Sequence, residues 1–469
     1  MNSDPTTLGV VELAAAIRTR RISSREVVQA HLDRVDTIGS EVNAITQVRR
    51  EQALAEAARA DDATVDEDDL GPLHGVPFGL KENVDLAGWP TTDGVSAFAD
   101  AVAEQDAPSV AHLRAAGAIV LGRTNLPDFA LRWHTDSELH GPTRNPFDPT
   151  ITPGGSSGGD AVAVATGMVP FSVGNDMGGS LRWPAQCNGV AAFKPSFGRV
   201  ADARSLQPTE QPLSGQLMAV QGPLARQVDD LRVLLDVMSR PSARDPWHVP
   251  AVAAITPKAP IHVSLTIRPS GTPCAPEIER SLRWAGSVLA EAGYIVEEVE
   301  PPDPTALAQL WVRILMAALV PVWDEQLEPH CSSDTQTFIR DAMACFPLDS
   351  PEAQYASWME RQSLAREWSL FMERYPLVLI PVSTQPPFSI GADLQPGASE
   401  TLVDTFRFLL PANVIGLPAL SVPVRPVDGR PQSVQLIGRY LHDSMCLNAG
   451  SVLEQARRRI DPVEVEPAS

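Results

Sequence analysis

An α/β fold, with one sheet built from both ends of the chain, is what this sequence predicts, and three observations predict it. Between Gly71 and Arg199, short apolar runs such as 118–121 and 171–173 alternate with helical patterns such as 109–116. The same grammar continues beyond residue 227. Strand-like runs then return near the C-terminus, at 377–382, 419–424 and 433–437, so both ends of the chain contribute to one sheet. The expectation is a single domain over residues 1–469.

Taken in order, residues 8–61 read as helices. Ser23 and Glu26 form a capping box ahead of the periodic run Val27, Val28, His31, Leu32, Val35, which is expected to stop at Gly39. A second helical run, 49–60, is rich in Ala and Glu, and the acidic stretch 61–69 reads as a surface loop. The core at 71–199 is dense in glycine, proline and short apolar runs. A helix at 227–238, a strand at 261–267, a helix at 277–292 and a strand at 294–299 follow. Residues 304–375 look mostly helical and carry Trp311, Trp323, Trp358 and Trp368. The variable helical region 304–410 is expected on the substrate side, together with segment 125–140. The prolines are spread over loops and strand ends, and there is no internal repeat.

With 469 residues, 43% hydrophobic and 20% charged, the composition is that of a folded globular protein. A formal net charge of -21 would repel phosphate backbones and anionic headgroups, which argues against nucleic acid and membrane partners. Cys187, Cys274, Cys331, Cys345 and Cys446 lie far apart with no metal-ligand spacing, so neither a disulfide framework nor a metal site is implied. The N-terminus lacks a basic start and an apolar run, and no stretch approaches 18 uncharged apolar residues, so a cytoplasmic location is expected. Only three of the 37 basic residues are lysines: Lys81, Lys194 and Lys258. Where arginine serves for surface charge, the lysines that remain are candidates for work arginine cannot do.

Two clusters bring bare backbone close to something: Gly154-Gly155-Ser156-Ser157-Gly158-Gly159 and Gly174-Asn175-Asp176-Met177-Gly178-Gly179-Ser180. Neither is a phosphate loop, since no lysine adjoins them. The first satisfies the G-x-S-x-G of a nucleophile elbow, and His442 could complete a triad. That motif needs a buried strand just before the turn, however, and three prolines (Pro146, Pro149, Pro153) occupy that place. No histidine occurs between Gly141 and Arg199, which leaves lysine as the base for a serine. A free lysine at neutral pH is almost wholly protonated, so it must be buried among apolar groups to serve. Lys81 follows Gly75-Val76-Pro77-Phe78-Gly79-Leu80, an apolar strand-like run. A plain pair with Glu82 or Asp85 is the structural alternative.

The residues of 71–199 resemble the signature region of the amidase signature family. Five ordered stretches carry the resemblance: Gly75-Val76-Pro77 leading to Lys81, Gly122-Arg123-Thr124-Asn125-Leu126-Pro127, Gly141 to Pro146, the Gly-Gly-Ser-Ser-Gly-Gly run, and Asp176 to Ala185. Looser matches at 222–226, 413–423 and 435–438 extend it over nearly the whole chain. The resemblance implies an amidase signature fold, an α/β fold with a large twisted mixed β-sheet covered by helices on both sides, and a Ser-Ser-Lys triad: Lys81 as base, Ser156 as the bridging serine after a cis peptide, and Ser180 as nucleophile. It also implies an oxyanion hole of the backbone amides of Met177, Gly178, Gly179 and Ser180, with no cofactor and no metal. Such preorganised donors are worth roughly 3 kcal/mol each to a tetrahedral oxyanion.

By the same resemblance, Ser157 supports Lys81; Asp176 and Arg182 read as bracing the nucleophile loop by hydrogen bonding, with direct substrate contact as the alternative. Lys194 reads as a buried structural lysine, and Cys187 as a small core residue. Phe129, Trp133 and Trp183 are candidates for an apolar substrate pocket. Glu82 after the lysine, where the family often has aspartate, and Met177 before the double glycine are departures that leave the catalytic atoms intact. The function expected is hydrolysis of a small amide, with aryl amides and carbamates (urethanes) open, and a homodimer is compatible with it. The alternatives are a glutamine-hydrolysing subunit of a tRNA-dependent amidotransferase, an α/β-hydrolase-like esterase, and a catalytically silent binding protein.

Overall fold

A computed structural model of the protein describes residues 4–65, 70–206, 209–250, 260–427, 429–457 and 459–465. Its strands are β1 (Ile45–Val48), β2 (Pro77–Lys81), β3 (Ile119–Thr124), β4 (Asp136–Ser137), β5 (Gly141–Pro142), β6 (Phe171–Asp176), β7 (Ala191–Lys194), β8 (Val220–Ala225), β9 (His262–Leu265), β10 (Ile295–Glu298), β11 (Leu377–Pro381), β12 (Ala419–Pro423) and β13 (Ser433–Gly438). Eleven of them form one sheet in the order β1-β3-β2-β6-β8-β7-β12-β13-β11-β9-β10, while β4 and β5 pair separately. The sheet is mixed: β3, β2 and β6 run parallel, as do β11, β9 and β10, and the strands between them are antiparallel.

Strand periodicity assigns the two faces. Phe78 and Leu80 of β2 and Val120 of β3 enter an apolar layer with helices Val10–Arg18, Pro108–Ala115, Val228–Met238 and Pro276–Glu291. Ile119 and Leu121 of β3 and Leu224 of β8 face the other way, against helices Ser24–Val42 and Gly158–Ala165. On that second side Val378 and Ile380 of β11 pack against the helices of 304–374. Each fully buried Leu or Phe in these layers contributes roughly 1.5 to 3 kcal/mol. The carboxyl ends of the parallel strands β2, β3 and β6 open onto one edge, where α/β sheets place their ligands. Lys81, Thr124 and Asp176 stand at those three ends.

Most of the expected elements form within a residue or two, and three depart, the first being β1 (Ile45–Val48), a strand pairing antiparallel with β3 inside the stretch 8–61 read as helices. Helix Ser24–Val42 has the Ser23–Glu26 capping box, but it runs through Gly39 and ends at Asn43, which adopts the left-handed conformation. The next helix, Arg50–Val65, extends into the acidic stretch read as a loop. Asp61 there accepts the N–H groups of Ser24 and Arg25 at 2.6 and 3.1 Å, capping the neighbouring helix. The remainder of that stretch, 66–69, lies outside the described residues.

Helix Pro304–Val322 contains Pro321, which removes an N–H from its ladder, and a π-turn at Trp323–Leu327 follows. By length and composition the run Pro304–His330 could cross a membrane. Here Leu307, Leu310, Trp311, Ile314 and Leu319 are buried in the layer over β11, and Arg313 pairs with Glu360 at 2.7 Å.

Candidate active site

Lys81 is the last residue of β2 and is wholly buried. Its ammonium does not meet Glu82, which turns away to Gln47 and His140 at 3.0 and 2.9 Å. Lys81 Nζ instead donates to Ser156 Oγ at 2.7 Å and to Asn175 Oδ1 at 2.8 Å. Asn175 Nδ2 donates in turn to Asn83 Oδ1 at 2.8 Å, which fixes the amide so that its oxygen faces the lysine. An amide oxygen only accepts, so a neutral Lys81 gives one N–H to Asn175 and can turn its lone pair toward Ser156. Burial lowers the Lys81 pKa to about 8, against the opposing charges of Asp160, Asp176 and Asp93.

Ser156 sits in the turn ahead of helix Gly158–Ala165, and the Gly155–Ser156 peptide is cis. The turn is anchored from several elements. Thr135 Oγ1 donates to Gly154 O and accepts from Gly158 N at 2.8 and 3.1 Å, and Asn188 Nδ2 holds Pro153 O at 2.7 Å. Gly155 lies so close to the backbone of Arg132 and His134 that a Cβ would approach within 2.6 to 2.7 Å. The Ser157 amide donates to Ser180 O at 3.1 Å, stitching this turn to the second glycine cluster. His442, the imidazole considered for an elbow, is at the N-cap of helix Asp443–Gln455. It is Lys81 that bonds Ser156.

The second cluster leaves β6 at Asp176 and enters helix Arg182–Asn188. Arg182 spends all five of its N–H bonds: on both Asp176 oxygens at 2.9 Å, Leu409 O at 2.7 Å, and Gln435 Oε1 and Asn413 Oδ1 at 2.6 Å. Burial opposes the Asp176 charge, but the Arg182 guanidinium and the Asn413 amide hold this carboxyl well below the usual range. Both residues are therefore committed to bracing the loop.

Asp176 Oδ1 also takes the Gly179 N–H at 2.8 Å, so that amide, counted among the oxyanion donors from sequence, is already engaged. The amides of Met177, Gly178 and Ser180 have no hydrogen-bond partner among the described residues. The loop is pinned from behind by indoles: Trp311 Nε1 donates to Met177 O at 2.8 Å and Trp133 Nε1 to Gly178 O at 2.9 Å. Asn175, Met177 and Ser180 are its partly exposed residues.

The three aromatic candidates separate. Trp133 is nearly buried against Trp311, Phe338 and Phe406, and acts on the loop through its N–H. Trp183 departs from the expectation: it is 0% exposed, donates to Trp133 O, stacks on Phe388 and meets Phe406 edge-on, so it is a core side chain rather than a pocket wall. Phe129 is partly exposed on a left-handed turn, edge-on to Phe98 at 5.8 Å. Ser157 bonds Asn175 O at 3.4 Å, reaching the lysine through that residue. Lys194 is buried and bonds Pro195 O at 2.9 Å, consistent with a structural role. Asn175, Asp160 and Trp311 were not singled out by sequence. Asn175 and Asp160 lie inside or beside the glycine clusters, while Trp311 arrives from 134 residues away.

A buried lysine thus bonds a serine in one glycine turn, and that turn is stitched to a second serine in another at the edge where the parallel strands end. The chain belongs to the amidase family, which matches residues 26–447. It is 42% identical over 454 residues to an indoleacetamide hydrolase of Bradyrhizobium diazoefficiens, covering 95% of this chain and 85% of that one. It is 30% identical over 468 residues to an acylamidase of Rhodococcus erythropolis, covering 96% and 95%. The solved structure of a 6-aminohexanoate cyclic dimer hydrolase complexed with substrate matches with a TM-score of 0.84 at 26% identity, over 97% of this chain and 99% of that one. The protein is an amidohydrolase of the α/β class.

Proposed function

We propose that this enzyme cleaves the C–N bond of a small amide through an acyl-enzyme on Ser180. The observation that carries the reading is the buried 2.7 Å contact of Lys81 Nζ with Ser156 Oγ, in a turn bonded to Ser180. Neutral Lys81 takes the Ser156 hydroxyl proton as Ser156 takes that of Ser180, and Ser180 Oγ adds to the carbonyl carbon. The oxyanion is received by the free amides of Met177, Gly178 and Ser180, whose loop the two indoles hold in place. Ser156 then gives its proton to the leaving nitrogen and is reprotonated from Lys81, so the amine departs neutral. Water repeats the sequence on the ester and releases the acid.

The acyl group we propose is apolar and aromatic. Met177, Phe129 and Leu131 are partly exposed beside the Trp133–Trp311 layer, and a 42% identical relative is an indoleacetamide hydrolase. All five cysteines are unpaired, which supports a reducing, cytoplasmic setting. A turnover panel of arylacetamides, anilides, carbamates and glutamine tests the substrate reading. Arylacetamides should be hydrolysed fastest, by the wild type and not by Ser180→Ala. Preference for glutamine would replace this reading with that of an amidotransferase subunit.

A further inference from the structure

Asp160 lies in the first turn of helix Gly158–Ala165, fully buried, and the steps above do not use it. Its Oδ1 accepts the hydroxyls of Thr124 at 2.6 Å and Ser172 at 2.5 Å. Those two residues belong to the strands flanking β2: Thr124 is in register with Lys81, and Ser172 with Gly79. Gly79 shares the face of Lys81, two residues before it, and a Cβ there would come within 2.8 Å of Ser172 Oγ and 3.1 Å of Thr124 Cγ2. The hydroxyls that hold Asp160 therefore sit at the root of the lysine side chain. Oδ2 has no well-formed hydrogen bond and lies over Gly174, where a Cβ would approach to 2.9 Å of it and to 2.6 Å of Ser157 Oγ.

We infer that Asp160 is a positioning residue that sets the proton occupancy of Lys81, the two forming one buried acid–base pair in the resting enzyme. The inference rests on Lys81 being the base. Three carboxylates act on Lys81: Asp160 from the helix, Asp176 from the end of β6 and Asp93 from the segment after β2, with Asp160 the strongest. Asp176 is neutralised by Arg182, and Asp93 is paired with Arg204 at 3.2 Å. On the Asp160 side, Arg123 of β3 also feels this carboxylate, but its guanidinium is bound to the carbonyls of Glu82 and Val84. Glu82 and Asp85 act on Arg123 more strongly than Asp160 does, and Lys81 is the cation whose charge chiefly answers Asp160. Burial pushes Asp160 up to about 6 while Lys81 and the two hydroxyls hold it down. The carboxylate thus keeps Lys81 a strong enough base to accept a hydroxyl proton, when burial alone would drive its affinity for protons lower.

The test is the acid limb of kcat/KM for a neutral amide in Asp160→Asn. Loss of the negative charge should move the limb to lower pH by about one unit or more, with a reduced plateau. Asp160→Glu, which keeps the charge, should restore the wild-type limb. Thr124→Val and Ser172→Ala strip the donors that favour the anion, so they should move the limb in the same direction, and they serve if Asp160→Asn does not fold. A folded Asp160→Asn whose limb overlays the wild type overturns the inference, as does an unmoved limb in the two hydroxyl variants. Lys81→Met separates the two readings: wild-type turnover there would remove the base itself, whereas an inactive Lys81→Met with an unmoved Asp160→Asn limb removes only the Asp160 role.

Discussion

The pH dependence of catalysis follows from where burial places Lys81. With its pKa lowered to about 8, only about a tenth of the free enzyme carries the neutral amine at pH 7, and about a hundredth at pH 6. If the amine must accept the Ser156 proton, kcat/KM should rise about tenfold per pH unit and flatten above the Lys81 pKa. The assay is initial rates on an arylacetamide that does not ionise, at concentrations well below KM, from about pH 5.5 to 9.5, with circular dichroism confirming the fold at each pH. A limb centred in the carboxylate range near 4, an imidazole-like limb near 6.5, or a flat profile would refute the reasoning, because none of those reports a lysine.

Three further outcomes follow from the bracing of the loop between Asp176 and Arg182. Arg182→Lys keeps the charge but cannot supply five donors, so denaturant unfolding should show a loss of about 3 kcal/mol or more; unchanged stability would contradict the network described here. Trp311→Phe keeps the ring and removes the N–H on Met177 O, so kcat should fall about tenfold with KM nearly unchanged, whereas a change confined to KM would assign Trp311 to binding. Asp176 is depressed below its unfolded value of 3.8. Its stabilisation is fully present above that value and is lost as pH falls through the folded pKa, so acid unfolding should set in below about pH 4. Asp176→Asn should be less stable at neutral pH and lose that acid dependence.

Lys81 could be picked out as a candidate base from its place in an apolar strand, a local feature, while the roles of Ser156 and Ser180 came from the resemblance to the amidase signature family; the structure brings Lys81 against Ser156 and bonds that turn to Ser180. The supports are less visible. Trp311 and Asn413 act through contacts that the sheet creates between distant segments, and no local pattern announces them. Trp183 shows the opposite error: an aromatic beside a reactive loop looks like a pocket wall, yet its neighbours bury it. Strand β8 was not read from the sequence, because Gly222 and Pro223 interrupt its apolar run. Proline is tolerated there because β7 pairs only with Leu224 and Ala225, leaving no ladder partner on that side for the missing N–H. The acidic stretch after residue 60 looked solvated because composition does not reveal that Asp61 caps another helix.

Ser180 as nucleophile is tested most directly by peptide mapping after treatment with a fluorophosphonate, in the wild type, Ser180→Ala and Lys81→Ala. The account predicts one phosphonyl group on Ser180 in the wild type, none in Ser180→Ala, and labelling slowed by orders of magnitude in Lys81→Ala. A label on Ser156, or one that forms at the wild-type rate without Lys81, would contradict it.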